Sequence, residues 1–174
     1  MTIKNIITTP LRRQEIKEVA KLYKISLRDN QKGFIQIIDF EENLKSMMDN
    51  FRANRGEVYV LKRENQIVGM GALKRVDDST VEVCKLHLYP NLKGLGLGKR
   101  LALELMEYAK ALGYTKINLH VTQTQKEAIG LYIRLGFHEY QRKLCRVKRD
   151  KDILEFDTIY MEKALEISSV MECV

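Results

Sequence analysis

Residues 88–108, "LYPNLKGLGLGKRLALELMEY", place a proline at 90 and glycines at 94, 96 and 98 directly before a run of helical periodicity. Glycine costs ~1 kcal/mol against alanine at each helix-interior site. Three of them at alternate positions mark a backbone that lies bare against something. A strand that passes through such a turn into a helix leaves amide N–H groups unpaired at the positive end of a helix dipole. Glycine lets phosphate oxygens approach those amides closely. Spacing excludes two familiar phosphate-binding patterns. A Walker loop needs Gly five positions after its first glycine, but Lys99 stands there after Gly94 and Arg100 follows it. A dinucleotide loop needs G-x-G-x-x-G, whereas these glycines read G-x-G-x-G, and no acidic residue ends a second strand ~20 positions on.

Working outward, "TVEVCKLHLYP" (80–90) alternates apolar and polar side chains up to the proline and predicts a strand. "EVYVLKR" and "QIVGMGALKRV" are β-rich runs joined by Glu64-Asn65, a hairpin signal. "TIKNIITTP" reads as a first strand closed by Pro10. Leu11, Ile16, Val19, Ala20, Tyr23 and Leu27 recur at helical spacing, and Phe40, Leu44, Met47, Met48 and Phe51 share one face of a second helix over 40–54. After the glycines, Leu101, Leu105, Tyr108, Ala109 and Leu112 mark a helix stopped at Gly113. "TKINLHVT" is a strand, and Thr124–Glu127 ("TQKE") fits a capping box for a helix ended at Gly136. Ala128, Leu131, Tyr132 and Leu135 line that helix, and two strands near 137–147 and 153–163 follow. The order β-α-α-β-β-β-α-β-α-β-β predicts an α+β protein: a mixed, mostly antiparallel sheet flanked by helices. One domain is expected over residues 1–165, with 166–174 as a tail.

A chain of 174 residues with 45% hydrophobic and 30% charged residues suits one soluble domain. Its apolar runs fall far short of the ~20 residues that span a bilayer, so no membrane partner is expected. The N-terminus has no apolar segment of signal-peptide length, which makes the cytoplasm the expected address. Cys84, Cys145 and Cys173 are odd in number and lack paired spacing, so neither disulfides nor a metal site is indicated. The net charge of +7 favours a polyanionic partner: nucleic acid, an anionic membrane face or a phosphate-rich cofactor. Part of it lies in "QRKLCRVKRDK" (141–151), which reads as a solvated hairpin rather than a dedicated binding patch. No zinc-finger, zipper or RNA-binding signature accompanies it.

The glycine stretch resembles the pyrophosphate loop of the GNAT N-acetyltransferase superfamily. That loop reads Gln/Arg-x-x-Gly-x-Gly/Ala, and "KGLGLG" (93–98) matches it with Lys93 in the first position. "EVCKLHLYP" resembles the family's fourth strand, "EAIGLYIRLGF" (127–137) its second signature, and "FDTIYMEKAL" (156–165) its closing strand. The resemblance covers roughly residues 57–165. It implies the GNAT acyl-CoA N-acyltransferase fold, acetyl-CoA as cosubstrate and no metal. It implies a cofactor loop of Lys93, Gly94, Leu95, Gly96, Leu97 and Gly98. Lys99 and Arg100 would then meet coenzyme A phosphates, or else form a solvated first helical turn. The pantetheine arm would pair with the backbone of Leu86 and Leu88, and Gln125 stands where many members carry an asparagine near that arm. Homodimers are common in the family.

Acetyl transfer to an amine requires that an ammonium lose a proton, that the oxyanion find a donor and that the departing thiolate be protonated. By the resemblance, Tyr132 occupies the position of the thiolate's general acid. For the base, three readings stay open. Glu82 stands six residues before Leu88, far from the thioester unless the strands splay or a water relays the proton. His87 is the second candidate and ordered water the third. The acceptor, a small-molecule or peptide amine, would be shaped by the first two helices and the last hairpin, where no acidic cluster favours a polyamine. Two other functions are compatible: a non-catalytic acyl-CoA-binding module, and an enzyme acting on aminoacyl-tRNA, which the charge allows without requiring.

Overall fold

Glu64 and Asn65, both in the left-handed region (φ 51° and 66°), turn the chain between the strands Glu57–Arg63 and Gln66–Arg75. A two-residue turn with positive φ at both positions matches the twist of the strands it joins. In the computed structural model, which describes residues 5–30, 39–149 and 151–166, these are the second and third of seven strands. The elements are β1 (Ile6–Pro10), α1 (Ile16–Asn30), α2 (Phe40–Ala53), β2 (Glu57–Arg63), β3 (Gln66–Arg75), β4 (Thr80–Leu88), α3 (Leu97–Ala111), β5 (Lys116–Thr122), α4 (Lys126–Arg134), β6 (His138–Arg149) and β7 (Asp152–Ala164). They form one sheet in the order β1-β2-β3-β4-β5-β7-β6. Only β4 and β5 run parallel; the other neighbours pair antiparallel. The expected α+β architecture is therefore the observed one.

The sheet separates two cores. On one face, Val19, Leu22 and Tyr23 of α1 and Leu44 and Met48 of α2 pack on Val58, Val60, Met70 and Ala72. On the other, Leu101, Leu105 and Ala109 of α3 and Tyr132 of α4 pack on Leu73, Val81, Ile117 and Met161. β3 reads as a nearly unbroken apolar run because both its faces are covered. Gly71 lies where α3 presses closest: a Cβ there would stand 2.7 Å from Leu105 Cδ1. Burying a leucine contributes ~1.5–3 kcal/mol, so these two layers supply most of the drive to fold.

Some local expectations are corrected. A 3-10 turn at Arg13–Glu15 precedes α1, so Leu11 lies outside the helix that its periodicity suggested. The turn is pinned by Glu15, which is buried and takes hydrogen bonds from Arg12 and from Lys62 of β2. Burial alone would raise the Glu15 carboxyl, but those bonds hold it down at about 2. The capping box at Thr124–Glu127 does not form. Gln125 is the N-cap of α4 and makes no side-chain cap bond, while the Thr124 hydroxyl lies 3.1 Å from that of Thr122. The basic stretch is a hairpin whose Arg142 pairs with Glu139 and Asp157 and whose Arg146 pairs with Glu155. The expected tail falls almost wholly outside the described residues.

Candidate active site

β4 and β5 pair only from Thr80–Lys116 to Glu82–Asn118. Beyond that point their edges part, leaving a slot along Val83–Leu88 of β4. A bulge opposite Gly71, centred on Lys85 (φ 56°), adds one residue to β4 in the same stretch. Tyr89 sends its N–H to Val68 of β3 (3.3 Å). Because successive amides alternate across a strand, those of Leu86 and Leu88 face the slot. The splay on which a role for Glu82 depended is therefore present.

At the wide end of the slot, a 3-10 turn (Pro90–Leu92) leads into the glycine loop. Gly94 and Gly96 hold φ of 80° and 78°, which other residues adopt only with strain, and a Cβ at either would meet nothing within 4 Å. α3 starts at Leu97, and its first amide to find a partner is that of Arg100, bonded to Gly96 (3.1 Å). The amides of Leu97, Gly98 and Lys99 thus open onto the loop. Leu95 is exposed and Leu97 is buried in the core beneath. Gly98 is an ordinary helical position, where a Cβ would find Leu88 Cδ1 at 3.6 Å and Leu131 Cδ2 at 4.0 Å. Lys93 is paired with Asp29 at the end of α1 (2.8 Å). A groove beside the loop is lined by Lys93, Gly94, Lys126, Glu127, Gly130 and Arg134. Lys99 is exposed at the first turn, but Arg100 turns away from it: its guanidinium bonds Glu104 (3.1 Å) and the Ile6 carbonyl (2.8 Å). In this structure the Arg100 side chain ties α3 to β1.

Tyr132 projects from α4 into the core on the α3 side and is 8% exposed, with its ring edge-on to Phe137 at 5.8 Å. Burial pushes its phenol up to about 12, so it stays protonated across the neutral range. Gln125 folds back on β5: its Oε1 accepts from the Thr122 N–H (3.2 Å) and hydroxyl (3.3 Å).

The opposite face of the sheet carries the other titratable groups. Val81 and Val83 of β4 and Ile117, Leu119 and Val121 of β5 belong to the α3 core, so Glu82, Asn118 and His120 point the other way. Glu82 Oε2 and His120 Nδ1 stand 3.9 Å apart. Asn118 Oδ1 is buried there, and no donor among the described residues reaches it. His120 lies on Tyr160 of β7 (ring centroids 5.7 Å), with Tyr140 beyond. His87 is not part of this group. Its Nδ1 lies 3.0 Å from Ser26 Oγ of α1, and its ring packs on Tyr23 at 4.9 Å. Burial first, then Lys85 and Lys93, lower its imidazole to about 4. Sequence alone marks His120 only as a strand-face residue; its nearness to Glu82 comes from the β4–β5 register.

Comparison with known proteins agrees with this geometry. The sequence profile of the acetyltransferase (GNAT) family matches residues 19–137. An uncharacterized N-acetyltransferase of Escherichia coli K12, YjgM, is 33% identical over 100 residues, which are 56% of this chain and 60% of that protein. A mycothiol acetyltransferase of Actinosynnema mirum is 32% identical over 98 residues, 56% of this chain but 33% of that protein. The matched part of the chain thus spans from 33% to 60% of these curated relatives. Among solved structures, an N-acetyltransferase from Staphylococcus aureus Mu50 superposes with a TM-score of 0.78 at 15% identity, covering 94% of this chain and 100% of that one. A GNAT superfamily phosphinothricin acetyltransferase from Sinorhizobium meliloti, solved with acetyl-CoA, gives 0.75 at 18% identity, covering 92% and 88%. At such identities the likeness is one of fold, and the profile match is what fixes kinship. The chain belongs to the acetyltransferase (GNAT) family.

Proposed function

We propose that this protein is an acetyl-CoA-dependent N-acetyltransferase that brings thioester and amine together in the slot between β4 and β5. The observation that carries this reading is the slot's polarity. One end meets a loop of outward amides at the start of α3, and the other closes at Glu82 and Asn118. Open space over Gly94 and Gly96 suits a pyrophosphate, and the slot-facing amides of Leu86 and Leu88 suit the amide groups of a pantetheine arm. When bound, the cosubstrate supplies an activated acetyl group.

The residues divide the remaining work between the two faces of the sheet. From the α4 side, Tyr132 offers a proton to the departing sulfur, and its raised pKa keeps that proton in place at neutral pH. From the open side, Glu82 receives the proton that the ammonium must lose. His87, held against α1 by Ser26 and Tyr23, is left out of the chemistry.

Thiol release from acetyl-CoA tests the reading. A panel of alkyl amines, amino acids, peptides and aminated metabolites should contain at least one that accelerates release well above the rate without amine and yields an acetamide. Tight acetyl-CoA binding with no acceleration by any amine would instead mark a non-catalytic acyl-CoA-binding module. Affinity for the acceptor that falls steeply with salt would mark an acceptor carried on nucleic acid.

A further inference from the structure

We infer that His120 is a catalytic residue of this site: its imidazole takes the ammonium's proton, and Glu82 positions it and stabilises the imidazolium. The inference rests on the function proposed above and changes one part of it: the imidazole, in place of the Glu82 carboxylate, is the first acceptor of the ammonium's proton. Glu82 and His120 come from the two strands that part at this point, and both point to the face opposite α3 and α4. Their nearest atoms are Glu82 Oε2 and His120 Nδ1, 3.9 Å apart, which leaves Nε2 as the nitrogen turned from the carboxylate. Exposure orders the two groups. The His120 side chain is 50% accessible and that of Glu82 is 23%, so an amine arriving from solvent meets the imidazole first and the carboxylate behind it.

The surroundings suit a group that must change charge. Tyr160 lies against one side of the ring, and Tyr140 stands beyond it. Around the pair on this face, Glu162 contacts Lys116 (3.5 Å) and His138 (3.6 Å), Lys143 lies over the Tyr160 ring (5.3 Å), and Lys74 of β3 stands directly across from Glu82. Glu82 is therefore the carboxylate placed to balance a charged His120. The step conserves protons: the ammonium loses one N–H proton to imidazole Nε2, the amine keeps its lone pair for attack, and the imidazolium later returns the proton to water.

Ethylamine and 2,2,2-trifluoroethylamine separate this role from a structural one. At pH 7 the first is almost wholly protonated, while the second is already largely neutral and needs no base before attack. Thiol release should give kcat/KM for wild type, His120→Gln and Glu82→Gln with both amines. His120→Gln should lose ~10²-fold or more with ethylamine but less than threefold with the fluorinated amine. Glu82→Gln should show the same pattern more weakly. Calorimetry should find acetyl-CoA affinity unchanged in both variants, since neither residue lies at the glycine loop. Equal losses with the two amines, or no loss with either, would overturn the role given to His120 while leaving the proposed function standing. Failure of the wild type with every amine would overturn the proposed function and this inference together.

Discussion

Glu82 of β4 and Asn118 of β5 are the last residues at which the two parallel strands pair. Everything proposed for this protein is arranged around that point. Above it the strands diverge toward a loop of free amides, and on either side of the sheet stand a buried phenol and an accessible carboxylate–imidazole pair.

The glycines of the loop are not equivalent. Gly96 has φ of 78°, where a side chain brings ~1–2 kcal/mol of backbone strain in addition to crowding a bound phosphate. Gly96→Ala should weaken acetyl-CoA binding at least tenfold, ~1.4 kcal/mol. Gly98→Ala should stay within threefold of wild type, because its Cβ would meet Leu88 and Leu131 at ordinary contact distances. Calorimetry on both folded variants checks the contrast; a larger loss at Gly98 would move the phosphates off the loop as described.

Gln125 spends its carbonyl on Thr122. Gln125→Ala should therefore raise the acetyl-CoA KM less than threefold. A rise of tenfold or more would mean that the side chain leaves β5 for the cofactor.

His87 should make the protein sensitive to acid. Its folded pKa of about 4 lies below the ~6.5 of a free imidazole, so the unfolded chain takes up this proton first as pH falls. The stability it contributes is complete above pH ~6.5 and is lost as pH falls toward 4. The loss should reach on the order of 2 kcal/mol by pH ~5. Urea unfolding at pH 7 and pH 5 should show a smaller drop in His87→Gln than in wild type. An identical drop would assign the acid sensitivity to other groups.

The reach and limits of sequence reading are visible within β4. The glycine loop was legible because its demand is local: glycines at 94 and 96 answer to backbone angles that the adjacent residues impose. β4 was legible from its period-two pattern, and β2 and β3 from their β-rich composition and the Glu64-Asn65 turn between them. The face presented by His87 was not. Simple alternation puts it with Val81 and Val83, but the extra residue at Lys85 shifts the parity, so that Leu86 and Leu88 join the α3 core and His87 turns to α1. Nothing in the run "VCKLHL" announces a bulge, which arises from the match to β3 across Gly71. The contacts of Arg100 and His120 were not legible for a related reason. Their partners, Ile6 and Glu82, are brought near by sheet order, and sequence spacing carries no trace of it.

Tyr132 carries the most direct test. Tyr132→Phe removes one oxygen and leaves the ring against Phe137, so fold and acetyl-CoA affinity should hold within a few-fold. With an accepted amine at saturation, kcat should fall by ~10²–10⁴-fold if the phenol protonates the departing sulfur. Since burial holds the phenol at about 12, wild-type kcat should show no basic limb from this group below pH ~11. The measurement is kcat for thiol release by wild type and Tyr132→Phe, under conditions where chemistry limits the rate. A fall of ~10²-fold or more agrees with acetyl transfer in the β4–β5 slot. Retention of more than a third of wild-type kcat contradicts it and leaves Tyr132 as a packing residue of the α3 core.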